Sequence, residues 1–100
     1  MHYVICYDLE DDRLRGKTAK ALERHGCTRV QRSVFAAPNM DKKELARLLA
    51  DLQRLLAGRH APGDSLLVLP LRDEHVAEIR VLGDNNILAE LEKVPLKIIL

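Results

Sequence analysis

Leu45, Leu48, Leu49, Leu52, Leu55 and Leu56 form an unbroken apolar stripe at helical spacing, and a stripe this wide has to be covered. Asp41 with Glu44 three residues on resembles a capping box at its start, and Gly58 with Pro62 ends it. The stripe runs for fewer than three heptads, too short for a zipper, so the surface that covers it is expected to be a sheet.

The rest of the chain supplies that sheet. His2–Asp8 is a short run rich in aromatic and β-branched residues that closes on a carboxylate, which predicts a buried strand. Residues 28–37 have strand propensity, but alternation breaks at Arg32-Ser33. They read as one bent strand or as two very short ones around a tight corner. Residues 64–71 predict another strand. Its Pro70 cannot donate to a ladder, so its end belongs at an edge. Residues 78–82 alternate and predict a further short strand. A turn or linker at 83–86, a helical turn over 87–93 and an apolar tail over 96–100 complete the chain.

Between the first two strands lies a helix that Asp11 or Asp12 can cap. Its Leu14, Thr18, Ala21, Leu22 and His25 would face the sheet, and Gly26 would end it in a left-handed residue. If 28–37 is a hairpin, the order is βαββαβ. The expected fold class is therefore α+β: a ferredoxin-like sandwich in residues 1–83, with an extra C-terminal strand at 78–82 and a tail over 84–100. An apolar tail beyond a complete unit is costly to leave in water. It is expected to pack on the sheet edge of a second protomer, making a symmetric dimer.

Composition narrows the function. Sixteen Lys and Arg against fifteen Asp and Glu leave a net charge of +1, so no global basic excess announces a nucleic-acid binder. Three aromatic residues (Tyr3, Tyr7 and Phe35) are too few for base-stacking platforms. The longest apolar run, 66–71, falls far short of the ~20 residues that span a membrane. The first residues lack the basic and apolar regions of a signal peptide, and two cysteines 21 apart make no zinc knuckle. A cytoplasmic protein with reduced cysteines is expected.

Charge is unevenly spread. Residues 1–12 carry Asp8, Glu10, Asp11 and Asp12 and no base. Residues 13–32 carry Arg13, Arg15, Lys17, Lys20, Arg24, Arg29 and Arg32 against Glu23 alone. Arg13, Lys17, Lys20 and Arg24 share one helix face, and one acid among eight charges fits a salt-bridged surface poorly. The pattern suits contact with a phosphate backbone without base readout, or else a solvated face. Asp8, at the end of a strand, stands where an oxygen-seeking cation can be held. Mg²⁺ takes one or two carboxylates and keeps its waters. The other reading of Asp8 is a cap on the strand-to-helix turn. Glu10, Asp11 and Asp12 read as helix-start acids, and the four histidines show no metal-ligand spacing.

Three segments together carry a resemblance: Tyr7-Asp8-Leu9 with Asp11-Asp12-Arg13-Leu14-Arg15 behind it, Gly26 closing the helix, and Arg29-Val30-Gln31-Arg32-Ser33-Val34-Phe35. The chain resembles the second CRISPR-associated protein family, the small partner of the integrase in spacer acquisition. The match is strongest over residues 3–35, fair over 64–82 and weak over the tail.

The resemblance implies a ferredoxin-like dimer that brings two copies of Asp8 together at its interface to hold one Mg²⁺, or Mn²⁺ in its place. It implies a metal-dependent endonuclease, cutting single-stranded RNA or double-stranded DNA, in which Asp8 is the catalytic residue. Tyr7, Arg15, Arg29 and Phe35 fall on family functional positions and Ser33 on the family serine. Lys17 departs, standing where some members have arginine, which keeps charge but not bidentate geometry. Arg13, Arg15, Lys17, Lys20, Arg29 and Arg32 are the expected nucleic-acid contacts. The implied partners are a second copy, the integrase and DNA or single-stranded RNA, with no membrane. The alternatives are a DNA-binding scaffold that bridges integrase dimers without cutting, a ferredoxin-like ribonuclease toxin, and a small-molecule regulatory domain of similar topology.

Overall fold

In the computed structural model, which describes residues 1–92, the first strand is the axis of the molecule. β1 (His2–Asp8) lies inside a four-stranded antiparallel sheet of order β2-β3-β1-β4, with β2 at Thr28–Gln31, β3 at Val34–Ala37 and β4 at Ser65–Leu71. Ile5 lies opposite Phe35 on one side and Val68 on the other. Because side chains alternate along a strand, Tyr3, Ile5 and Tyr7 point to one face and His2, Val4, Cys6 and Asp8 to the other. This is the ferredoxin-like order expected, and β4 with its Pro70 is an edge strand.

Residues 28–37 form a hairpin of two short strands turning at Arg32-Ser33, with a register shift between Arg29 and Gln31. The corner is tied to the end of β1, where the Tyr7 N–H donates to the Ser33 carbonyl at 3.0 Å.

Two helices cover the first face. α1 (Asp12–Arg24) is capped by Asp11, whose carboxylate accepts the Leu14 N–H at 2.8 Å, and Gly26 follows it at φ +83°. α2 (Lys42–Leu56) starts on the expected capping box: the Glu44 N–H donates to Asp41 at 2.7 Å and the Asp41 N–H to Glu44 at 3.3 Å. Leu14 and Leu22 of α1 and Leu48 and Leu52 of α2 close over Ile5, Tyr7 and Phe35 in one core. His25 does not join it. As the C-cap of α1 it turns to α2, where its Nε2 meets Asp51 at 2.6 Å, because the polar ring finds a carboxylate there instead of an apolar face.

The second face is covered only in part, by the chain beyond β4. α3 (Asp73–Val76) and α4 (Ile87–Leu91) bring Val76, Ile79, Ile87, Leu88 and Leu91 onto Val30, Val34 and Ala36. Here the expectation of a strand over residues 78–82 fails. The N–H groups of Glu78 and Ile79 close a turn onto the carbonyls of His75 and Val76, at 3.0 and 3.2 Å, and so are lost to a ladder. The segment is laid across the face of the sheet instead of along its edge. Asn85 pins the return, donating from Nδ2 to the Val30 carbonyl at 2.6 Å. The expected tail over 84–100 is described as far as Glu92, and that part packs on the chain's own sheet. The apolar run 96–100 lies outside the described residues. Among the described residues no helix is long and apolar enough to cross a membrane.

Candidate functional site

Asp8 ends β1 opposite Ser65, exposed, on the second face of the sheet. Cys6 and Val4 precede it on that face, paired with Leu67 and Leu69 of the edge strand. Those two leucines are 55% and 45% exposed, so Asp8 stands at the end of an uncovered apolar strip. The carboxylate is free to meet something, and the strip beside it is unfinished.

The backbone that carries Asp8 is held firmly. On the first face the Tyr7 ring stacks on Phe35 with centroids 6.2 Å apart and planes at 27°, and the Arg29 guanidinium lies 5.2 Å from the Phe35 centroid. Leu9, the next residue, is buried. Arg15 then clamps the turn: Nη1 donates to the carbonyls of Leu9 at 2.6 Å and Glu10 at 2.8 Å, and the group pairs with Asp12. Asp64 adds a brace, accepting the N–H groups of Glu10 at 3.0 Å and Ala61 at 2.8 Å. Tyr7, Arg15, Arg29, Ser33 and Phe35 therefore build the seat of Asp8, and Asp11, Asp12 and Asp64 are spent on the turns around it.

The basic residues divide. The Arg32-Ser33 corner is tied to the end of β1, which carries Arg32 near Asp8, whereas Arg13, on the first turn of α1, lines a hollow with Lys17 and Arg59. Lys17 and Lys20 run away from Asp8 on the helix layer. With Arg24 they form one wall of a cleft of about 500 Å³ between α1 and α2. Its opposite wall holds Arg54 and Arg59, which sequence reasoning missed. Their signal was present, since both flank the end of the leucine stripe, but only helix packing turns them toward α1.

No group of three or more His, Cys, Asp or Glu side chains that could hold a metal occurs among the described residues. The histidines are otherwise engaged. His2 is buried, accepting the Asn39 N–H on Nδ1 at 3.0 Å and meeting Asp73 through Nε2 at 2.5 Å. His60 binds the Leu56 carbonyl at 2.9 Å. Burial raises the Cys6 thiol and pushes Cys27 up to about 11, so neither is a nucleophile near neutral pH. Among the described residues Asp8 therefore belongs to no such ligand group.

Comparison with known proteins gives a consistent result. A family model described as CRISPR associated protein Cas2 matches residues 1–79. The CRISPR-associated endoribonuclease Cas2 2 of Synechocystis sp. is 36% identical over 85 residues, covering 85% of this chain and 87% of the relative. The CRISPR-associated endoribonuclease Cas2 1 of Pyrobaculum aerophilum is 35% identical over 83 residues, covering 83% and 81%. Among solved structures, a hypothetical protein from Thermus thermophilus superposes with a TM-score of 0.69 at 32% identity, over 84% of this chain and 92% of that one. Streptococcus pyogenes Cas2 does so with a TM-score of 0.68 at 20% identity, over 83% and 100%, which bears on the fold alone.

Proposed function

The chain belongs to the CRISPR associated protein Cas2 family, and from that premise we propose that it is a CRISPR-associated nuclease of spacer acquisition whose site is completed by a second copy of itself. One observation carries the reading: the exposed Asp8 carboxylate rides on a braced turn at the end of the uncovered strip made by Leu67 and Leu69. Two such strips meeting about a two-fold axis would bury four leucines and set two Asp8 carboxylates side by side.

Paired carboxylates suit Mg²⁺, which takes one or two and keeps several waters. The ion, when bound, supplies an acidified water as nucleophile and neutralises charge on the phosphate. The chain's own residues do the positioning. Arg15 fixes the turn by its two carbonyl contacts, Phe35 and Tyr7 fix the strand, and Arg32, at the corner tied to the end of β1, stands nearby to hold phosphates of an RNA or DNA strand. The names of the endoribonuclease relatives favour RNA as one substrate.

The second reading is a non-cutting scaffold that grips duplex DNA and bridges integrase dimers. It is favoured by the lone carboxylate per chain and the lack of a larger ligand cluster among the described residues.

The test is a titration of wild type and Asp8→Ala against labelled single-stranded RNA and duplex DNA, with Mg²⁺ and with a chelator. Cutting is expected with metal only and is expected to fall more than about 100-fold in the variant, beyond the loss of an outer-shell partner. Binding should persist. Equal binding by both proteins with no cutting by either would establish the scaffold instead.

A further inference from the structure

The cleft between α1 and α2 lies on the layer opposite Asp8, so whatever occupies it is not at the carboxylate. Five cations line it: Lys17, Lys20 and Arg24 from α1, Arg54 from α2, and Arg59 from the turn just beyond α2. The one carboxylate among them, Asp51, is already engaged by His25 at 2.6 Å and by Arg54. Those two partners hold its carboxyl below the usual range, so it stays ionised yet neutralises little else. Among the described residues Lys17, Lys20 and Arg24 have no carboxylate partner. Arg59 is pre-placed, donating from Nη1 to the carbonyls of Arg54 and Leu55 at 3.4 and 3.1 Å on the last turn of α2. It also lines an adjoining hollow of about 280 Å³ with Arg13, Lys17 and Asp11, whose carboxylate caps the helix by accepting the Leu14 N–H, so the basic lining continues along the helix to its start.

We propose that this cleft is a second nucleic-acid track, a backbone groove separate from the Asp8 site, in which Arg54 and Arg59 face the basic side of α1 across one strand. The proposal rests on the nucleic-acid reading given above. Its dimensions fit. Arg13 to Arg24 spans eleven residues, about 16 Å of helix at ~1.5 Å each. That equals the axial rise of about five steps of a duplex strand at ~3.4 Å each. The lining argues against a protein partner, since its only apolar members are Ala21 and Leu55 and a protein interface needs an apolar centre. It holds no aromatic ring, so bases are not stacked or read, and contact is to phosphate alone.

The experiment measures the affinity of the full chain for a labelled 30-base-pair duplex by anisotropy across a series of KCl concentrations. The compared variants are Arg54→Gln/Arg59→Gln, Lys17→Gln/Lys20→Gln, and Lys42→Gln/Lys43→Gln. The last removes the same charge from exposed positions outside the cleft. Each phosphate contact adds about −0.9 to the slope of log affinity against log salt. Either cleft variant should therefore flatten the slope by about 1.8, and the Lys42/Lys43 variant should leave it at the wild-type value. The α1 pair guards against a folding defect in the α2 pair, because Arg59 also caps its helix. Equal slopes in all variants, or equal flattening in all three, would overturn the groove while leaving the nucleic-acid reading intact. A wild type that binds no duplex at low salt would overturn both.

Discussion

On the helix side of the sheet Ile5, Leu22, Phe35 and Leu48 are wholly shielded from water, whereas on the other side Leu67 and Leu69 keep about half their surface in it. Both faces are built from alternate residues of the same strands, so strand propensity cannot account for the difference. It comes from what lies above. Two long amphipathic helices close the first face. The second is crossed by a thin segment that reaches Val30, Ala36 and the Leu71 end of β4 but leaves Leu67 and Leu69 open. Each open leucine forgoes about 1 kcal/mol of burial. The closed face supplies stability, and the open one, with Asp8 at its end, is where a partner has something to gain.

Substitutions on the two faces should separate these roles. Phe35→Ala on the closed face is expected to cost about 3–5 kcal/mol, seen as a lower urea midpoint, because it opens a cavity under Tyr7 and Arg29. A loss below about 1 kcal/mol would mean that the helix layer is not the core. Asp41→Ala, at the start of the stripe helix, should give a smaller effect, a drop of a few degrees in Tm. The Glu44 N–H holds the Asp41 carboxyl below its ordinary value. The cap's contribution is therefore whole above about pH 4 and is lost as the pH falls through the lower folded value. Tm measured against pH should show wild type and variant converging in acid, and a constant gap would contradict the linkage. Least of all, Leu67→Ser on the open face should move the chain's own unfolding by less than about 0.5 kcal/mol. The same variant should halve the mass seen by light scattering if the strip seats the second copy. Unchanged mass would remove that face from the dimer.

Much of the fold was legible because its signals are local. The capping box at Asp41, the cap at Asp11, the broken alternation at Arg32-Ser33 and the edge proline at Pro70 each work within a few residues, and each stands where expected. The path of residues 78–82 was not legible. A period of two marks extended chain, and extended chain can lie along an edge or across a face. The choice fell to α3, whose closing turn took the N–H groups of Glu78 and Ile79. Arg15 is a similar case. It clamps the Leu9 and Glu10 carbonyls, a contact that only the bend after β1 creates and that its place among the bases did not announce.

By itself the sequence determined the helices and strands over the first 71 residues, with 28–37 left open between one bent strand and a hairpin, that Asp8 ends a buried strand, and that one face of α1 is basic. These follow from periodicity and capping, which act over one or two turns of chain. Tertiary structure alone decided that Asp8 shares its face with the open strip of Leu67 and Leu69, and that Arg54 and Arg59 face Lys17 and Lys20 across a cleft. Those juxtapositions depend on register and on helix packing between residues more than thirty positions apart, and no local rule reaches that far.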